Sequence, residues 1–182
     1  MQPIKTLART LRHLANADHY LFSNSDLAAI LPEVTGPAFN TLLVRAQKNG
    51  IVQRICRGLY LNPGAEYPPG LVLYHAAARL RAHEFNYLSL ESVLSDAGVI
   101  SQVPMNWITL MSSGRNYTYD CGGWGSIEFI HTIKKPGSLD KDLQYDPQVR
   151  LWRASVDRAL KDMRVTRRNT DLIDWEIANE FI

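Results

Sequence analysis

From Pro3 to Asn16, apolar residues recur at Ile4, Leu7, Ala8, Leu11, Leu14 and Ala15, the spacing of a single helical stripe. The pattern predicts a first helix with one face to bury. After Tyr20-Leu21-Phe22, Ser23 or Ser25 can cap a short second helix through Leu27, Ala28, Ile30 and Leu31, and Pro32 stops it. Beyond the turn Glu33-Val34-Thr35-Gly36, Pro37 suits a first helical position. Phe39, Leu42, Leu43 and Ala46 then mark the buried stripe of a third helix, which Gly50 ends.

The period changes after Gly50. Ile51-Val52-Gln53-Arg54-Ile55 is short and β-branched, Arg57-Gly58 is a tight-turn pair, and Leu59-Tyr60-Leu61 returns as a second strand. Three helices followed by a basic hairpin is the order of a winged helix-turn-helix, in which the third helix enters the major groove. Its outward face here holds Asn40, Thr41, Val44, Arg45 and Lys48. Asn40 can meet an adenine edge, Arg45 can fork onto guanine, Thr41 and Lys48 can bind phosphate, and Arg54 and Arg57 stand where a wing meets the backbone. With Thr35, which precedes the helix, these residues are the expected DNA contacts. The alternative is an ordinary solvated helix face on a protein-interaction module.

Asn62 to Gly70, with three prolines and two glycines, breaks the periodicity and sets an expected boundary between a 1–66 domain and a 67–182 domain. Helices are predicted over Leu71–His83 and from a Ser89 cap to Ala97. Trp107–Met111 reads as a strand, and Tyr117–Tyr119 and Ser126–His131 read as a hairpin around Gly122-Gly123-Trp124-Gly125. From Pro147 to Arg168 a helix is expected, with Val149, Trp152, Val156, Leu160 and Met163 as its buried stripe. The pairs Arg153/Asp157, Asp157/Lys161 and Arg158/Asp162 would be surface ion pairs on that helix. The fold class expected is α+β: a winged helix-turn-helix, then a small α+β domain with a C-terminal helical segment.

Charge sharpens the division. Residues 1–62 carry seven Lys/Arg against three acids, whereas the remainder carries 13 bases and 15 acids. A basic N-terminal end on a near-neutral body points to a polyanionic partner. Residues 147–168 form a second basic run, seven bases to two acids, followed by an acidic tail carrying Trp175 and Phe181. That run is either a self-paired helix or a second basic surface, and the tail can cover it or dock on a partner. Composition is that of a soluble globular chain, with neither a secretory core nor an apolar run of membrane-spanning length, so a cytoplasmic location and no membrane partner are expected. Cys56 and Cys121 are expected to be reduced thiols.

Catalytic patterns are sparse. The sequence has no phosphate-cradling lysine loop, no paired-histidine metal motif and no serine set between glycines in a nucleophile turn. The five histidines are scattered; Cys121 with His131 across the hairpin is the best nucleophile–base pairing, and an ordinary sheet pair is the stronger reading. No enzyme activity, cofactor or metal is expected.

Three stretches carry a family resemblance. The first joins Tyr20-Leu21-Phe22 and SDLAAILP to KNGIVQRICRGLYLNP, with the tetrad Arg57-Gly58-Leu59-Tyr60; the second is YLSLESVLSDAGVISQVPMNWITLMSS over 87–113; the third, weaker, is RALKDM over 158–163. Together they resemble the type IV antitoxins of the AbiE abortive-infection systems. The resemblance implies a winged helix that binds repeated sites in its own promoter, represses an operon shared with a nucleotidyltransferase-type toxin, and is joined to a domain that counteracts that toxin. It places DNA reading on the 37–49 helix and wing contacts on Arg54 and Arg57. A stand-alone winged-helix regulator, or a toxin-neutralising protein that does not bind DNA, are the alternatives.

Overall fold

The computed structural model describes residues 2–101 and 106–182. Met1 and Gln102–Met105, the latter inside the second stretch of the resemblance, lie outside the described residues. Among the described residues the chain holds seven α-helices and two sheets, a mixed α+β architecture in two compact units, Met1–Val72 and Leu73–Ile182. No helix among them is long and apolar enough to cross a membrane.

In the first unit, α1 (Pro3–His13) starts on a proline and buries Leu7 and Leu11. Ser23 caps α2 (Asn24–Ile30) with a reciprocal box: its Oγ accepts from Asp26 N at 3.1 Å, and Ser23 N donates to Asp26 Oδ2 at 2.6 Å. The stripe of α3 (Gly36–Lys48) buries Phe39, Leu42, Leu43 and Ala46. These residues share one core with Leu7, Leu11, Phe22, Leu27, Val52 and Tyr60.

The sheet has three strands, not the two expected. Besides β2 (Gln53–Cys56) and β3 (Leu59–Leu61), Leu21–Ser23 forms β1, and the order is β1-β3-β2, antiparallel throughout. Three residues are too few to show a period, and β1's partner follows two helices later in the chain, so only tertiary pairing reveals it. Ile51 and Val52 precede β2 instead of joining it, while Gly58, at φ +79°, makes the tight return. Buried Asn62 secures the end of β3: its Nδ2 donates to Leu11 O at 2.8 Å.

Helix α4 (Val72–Leu80) starts on the last residue of the first unit and lies otherwise in the second, which continues through β4 (Asn86–Leu88), α5 (Leu90–Asp96), β5 (Trp107–Ser112), β6 (Tyr117–Asp120), β7 (Ser126–His131), β8 (Leu143–Asp146), β9 (Leu151–Ala154), α6 (Val156–Val165) and α7 (Trp175–Ala178). The sheet order is β6-β7-β5-β4-β9-β8. Strands β5 and β4, in the middle, are almost wholly buried, whereas the edge strands β6 and β8 are mostly exposed and polar.

One strand here was not expected and one expectation fails. Strand β4 ends at Leu88, directly before the expected Ser89 cap, and three residues are too few to show a strand period. The predicted helix from Pro147 is interrupted by β9, whose two end residues, Leu151 and Ala154, are buried while Trp152, placed on the buried stripe of that helix, is 45 % exposed. Arg150 at φ +60° and extended Ser155 bound that strand, and Ser155 Oγ accepts from Arg158 N, so the helix starts only at Val156. The stripe misleads because positions 149, 152 and 156 keep helical spacing across a strand.

Candidate nucleic-acid interface

With α3's buried stripe pointing into the core, ~100° per residue places Val44, Lys48 and Thr41 nearest the centre of the outward face, with Asn40 and Arg45 on its two shoulders. All five are exposed. Between Glu33 and Glu66 the chain carries four bases, Arg45, Lys48, Arg54 and Arg57, and no acid. The structure puts Arg45 and Lys48 on α3 and Arg54 and Arg57 on β2 and its turn to β3, with Glu33 lining the same groove as Arg45.

Asn40, Arg45, Lys48 and Arg57 make no side-chain hydrogen bond or ion pair among the described residues. Their donors therefore remain available to a partner. Thr35 sits at the N-cap of α3 without a side-chain capping bond, which leaves its hydroxyl at the positive end of the helix. Thr41 differs: its Oγ1 donates to Pro37 O at 3.0 Å, so only its lone pairs face outward. They suit a base amino group better than a phosphate oxygen, which needs a donor. Arg54 also differs, because its Nε donates to Cys56 O at 3.2 Å across the irregularity in β2 and is held against its own strand.

The expected contacts do not converge on one depression. Thr35, Thr41 and Arg45 line a groove of about 750 Å³ beside the start of α1, with Glu33 on its rim. Arg54 lines a separate depression of about 490 Å³ with Gln47, Gly50 and Gln53. Such a spread suits an extended polyanion more than a small ligand. The sequence reading assigned no contact to Val44, although it lies at the centre of the face.

In the second unit, charged groups face one another. Asp162, 1 % exposed, receives Arg158 Nε at 3.0 Å and Nη2 at 2.8 Å on Oδ1, and the hydroxyls of Tyr87 at 3.0 Å and Ser89 at 2.7 Å on Oδ2. Burial and the adjacent Asp162 carboxylate push the Tyr87 phenol well above its ordinary value. Ser89, expected to cap α5, occupies the cap position but gives its hydroxyl to Asp162 instead. Arg168 bridges Glu91 and Glu128, with Nη1 and Nη2 at 3.1 and 2.9 Å from the two Glu128 oxygens. Burial alone would lower its pKa, but the hydrogen bonds to Glu128 and Glu91 hold it raised.

The surface pairing expected over 147–168 survives only in part. Asp157 and Lys161 pair at 2.5 Å in the open, Arg158/Asp162 is buried, and Arg153 turns from Asp157 to Asp96 and Asp146. Arg164 lies over the Trp175 ring, so the tail does meet the basic helix. Cys121 and His131 fall at opposite ends of the β6–β7 hairpin, since Asp120 pairs with Ser126 and Tyr117 with Phe129. About five residues of strand, ~16 Å, separate them along it, and His131 Nδ1 contacts Gly114 O instead.

No family model matches the chain, and no curated protein does. Among solved structures, the RV2827C protein from Mycobacterium tuberculosis matches over 94 % of this chain at 17 % identity and a TM-score of 0.53. This chain spans 64 % of that protein's length, and the likeness is one of fold: nearly the whole α+β architecture, both units included, is similar to a fold already seen by crystallography.

Proposed function

We propose that the protein is a DNA-binding antitoxin. Its first unit, read as a winged helix-turn-helix, occupies repeated sites in its own promoter and represses an operon shared with a nucleotidyltransferase-type toxin; its second unit counteracts that toxin. The observation that carries the DNA half is the outward face of α3, where Asn40, Arg45 and Lys48 are exposed and unpaired among the described residues beside a hairpin bearing Arg54 and Arg57. The toxin half rests on the resemblance over 20–63, 87–113 and 158–163.

On this reading the core-facing stripe holds α3 rigid while its far side lies in the major groove. Arg45 supplies a forked donor for a guanine edge and Asn40 a donor and an acceptor for adenine. Lys48, Thr35 and Arg57 take phosphates and fix the register. In the second unit, four of the seven bases of the 147–168 run, Arg153, Arg158, Lys161 and Arg168, are already met by carboxylates of that unit.

The test is a titration of the purified chain on its own promoter duplex and on a scrambled duplex of equal length, at two salt concentrations. Tighter binding to the promoter that weakens steeply with salt is expected. Equal binding of both duplexes at both salts overturns the repressor reading. Failure to rescue cells from the co-encoded toxin, with DNA binding intact, overturns the antitoxin half and leaves a stand-alone regulator.

A further inference from the structure

Val44 sits where the helix gains nothing from it. At 51 % exposure it is the only large hydrophobic side chain among the described residues of the first unit that stands in solvent; the other exposed large hydrophobic residues among those described belong to the second unit. It packs into no core, and a β-branched residue in the middle of an exposed helix face is a poorer helix former than alanine. Neither burial nor propensity accounts for it.

Its neighbours define what it faces. Asn40 and Lys48 lie one turn before and after it on the same ridge, with Thr41 and Arg45 alongside. A branched apolar group is thus ringed by hydrogen-bonding and cationic groups. The ligand that fits presents one apolar spot among hydrogen-bonding edges and negative charge. In duplex DNA the major groove offers that combination at thymine, whose 5-methyl group projects between the acceptors of neighbouring base edges.

We infer that Val44 reads the 5-methyl group of a thymine and so sets sequence preference at one position of the site. The inference rests on the DNA-binding reading of α3 and goes beyond it by naming the base feature and the residue that recognises it. Arg45 and Asn40 discriminate by hydrogen bonds; Val44 does so by covering a methyl group. Its contribution is therefore small, independent of salt, and confined to one base pair, or two if the helix axis runs between adjacent thymines.

The experiment uses the intact chain and the best-bound duplex selected from a random-sequence library. Each thymine of that duplex is replaced singly by deoxyuridine, which keeps the base pair and the O4 acceptor and removes only the methyl group. For the wild-type chain, one or two replacements weaken binding about four-fold, the effect of uncovering one methyl group. For Val44→Ala, whose helix is at least as stable, the same replacements change binding by less than about 1.5-fold, so the coupling between side chain and methyl group vanishes. The inference is overturned if no thymine is sensitive, or if the sensitivity persists in Val44→Ala; in both cases salt-sensitive binding of the parent duplex leaves the DNA reading standing. If the library yields no preferred duplex, the DNA reading itself falls and the inference with it.

Discussion

The two units use arginine in opposite ways. In the first, Arg45 and Arg57 project from an apolar core with no internal partner among the described residues. In the second, Arg153, Arg158 and Arg168 are each met by carboxylates, and Arg158 is 6 % exposed. A basic run in sequence is therefore no measure of a basic surface. The seven bases of 147–168 can be read as a self-paired helix or as a second basic surface, and four of them, Arg153, Arg158, Lys161 and Arg168, are met by carboxylates within the fold. The four bases between Glu33 and Glu66 have no acid in that stretch to neutralise them. The comparison predicts that removing a buried, paired charge in the second unit damages stability, and that removing the exposed Arg45 or Arg57 charge in the first damages only binding.

The largest effect is expected at Asp162. Asp162→Ala strands the buried Arg158 guanidinium and removes the acceptor of two buried hydroxyls, so stability should fall by ~3–5 kcal/mol. Urea unfolding of the variant against wild type measures it. A loss below about 1 kcal/mol would show that water or a shifted Asp142, 3.8 Å from Arg158 Nη1, replaces the carboxylate, and would break the contrast between the units.

Arg45→Ala should do the reverse. The side chain is exposed and unpaired, so unfolding should shift by no more than about 0.5 kcal/mol. Specific DNA binding should weaken by roughly 1–3 kcal/mol, with a relaxed preference at one guanine. Arg57→Ala should instead weaken all sequences alike and reduce the salt slope by about one. If both variants lower promoter and scrambled binding equally, the division between a reading helix and a positioning wing is wrong.

What could be read from the sequence follows the same divide. The three N-terminal helices, the hairpin and the outward placement of Asn40, Arg45 and Lys48 were legible, because helical period, caps and a tight turn are local signals. Strand β1 was not, since its pairing with β3 spans two helices, and β9 was hidden because Val149, Trp152 and Val156 keep a helical spacing across it although Trp152 points to solvent. Within the site, exposure was legible, but the bond from Thr41 to Pro37 O and the folding back of Arg54 onto Cys56 depend on a rotamer and a strand irregularity. The networks of the second unit were least legible. Tyr87, Ser89 and Asp162 come together only because α6 packs against α5 and its Asp162 reaches the Tyr87 hydroxyl from β4, and Arg158/Asp162 has the same spacing in sequence as an ordinary surface pair.

A smaller, pH-dependent effect follows from Tyr87. Burial and Asp162 raise its pKa above the ordinary 10.0, so the folded chain holds this proton more tightly than the unfolded chain does. The resulting stability is complete below pH 10.0 and is lost as pH rises from there toward the folded-state value, at up to about 1.4 kcal/mol per pH unit. Tyr74, raised by burial and by Asp96, contributes in the same direction. Urea midpoints at about pH 9 and about pH 11 should therefore diverge for wild type and diverge less for Tyr87→Phe. Equal divergence in the two proteins would assign the alkaline loss to other groups.

The smallest effect comes from the same helix and the same sequence spacing as the largest, which isolates burial as the cause. Asp157 and Lys161 pair four residues apart on α6, as Arg158 and Asp162 do, but their side chains are 33 % and 51 % exposed instead of 7 % and 2 %. Water already solvates both partners, so little desolvation is reversed when the pair breaks, and neither charge is left stranded. Lys161→Ala should cost about 0.3–0.5 kcal/mol, partly offset by alanine's better helix propensity, and half-molar salt should remove most of it. Asp162→Ala should keep its penalty in the same salt, because ions do not screen a pair that excludes water. If the two variants respond alike to salt, Arg158–Asp162 is reached by solvent, and the second unit's arginines are closer to a surface than their geometry implies.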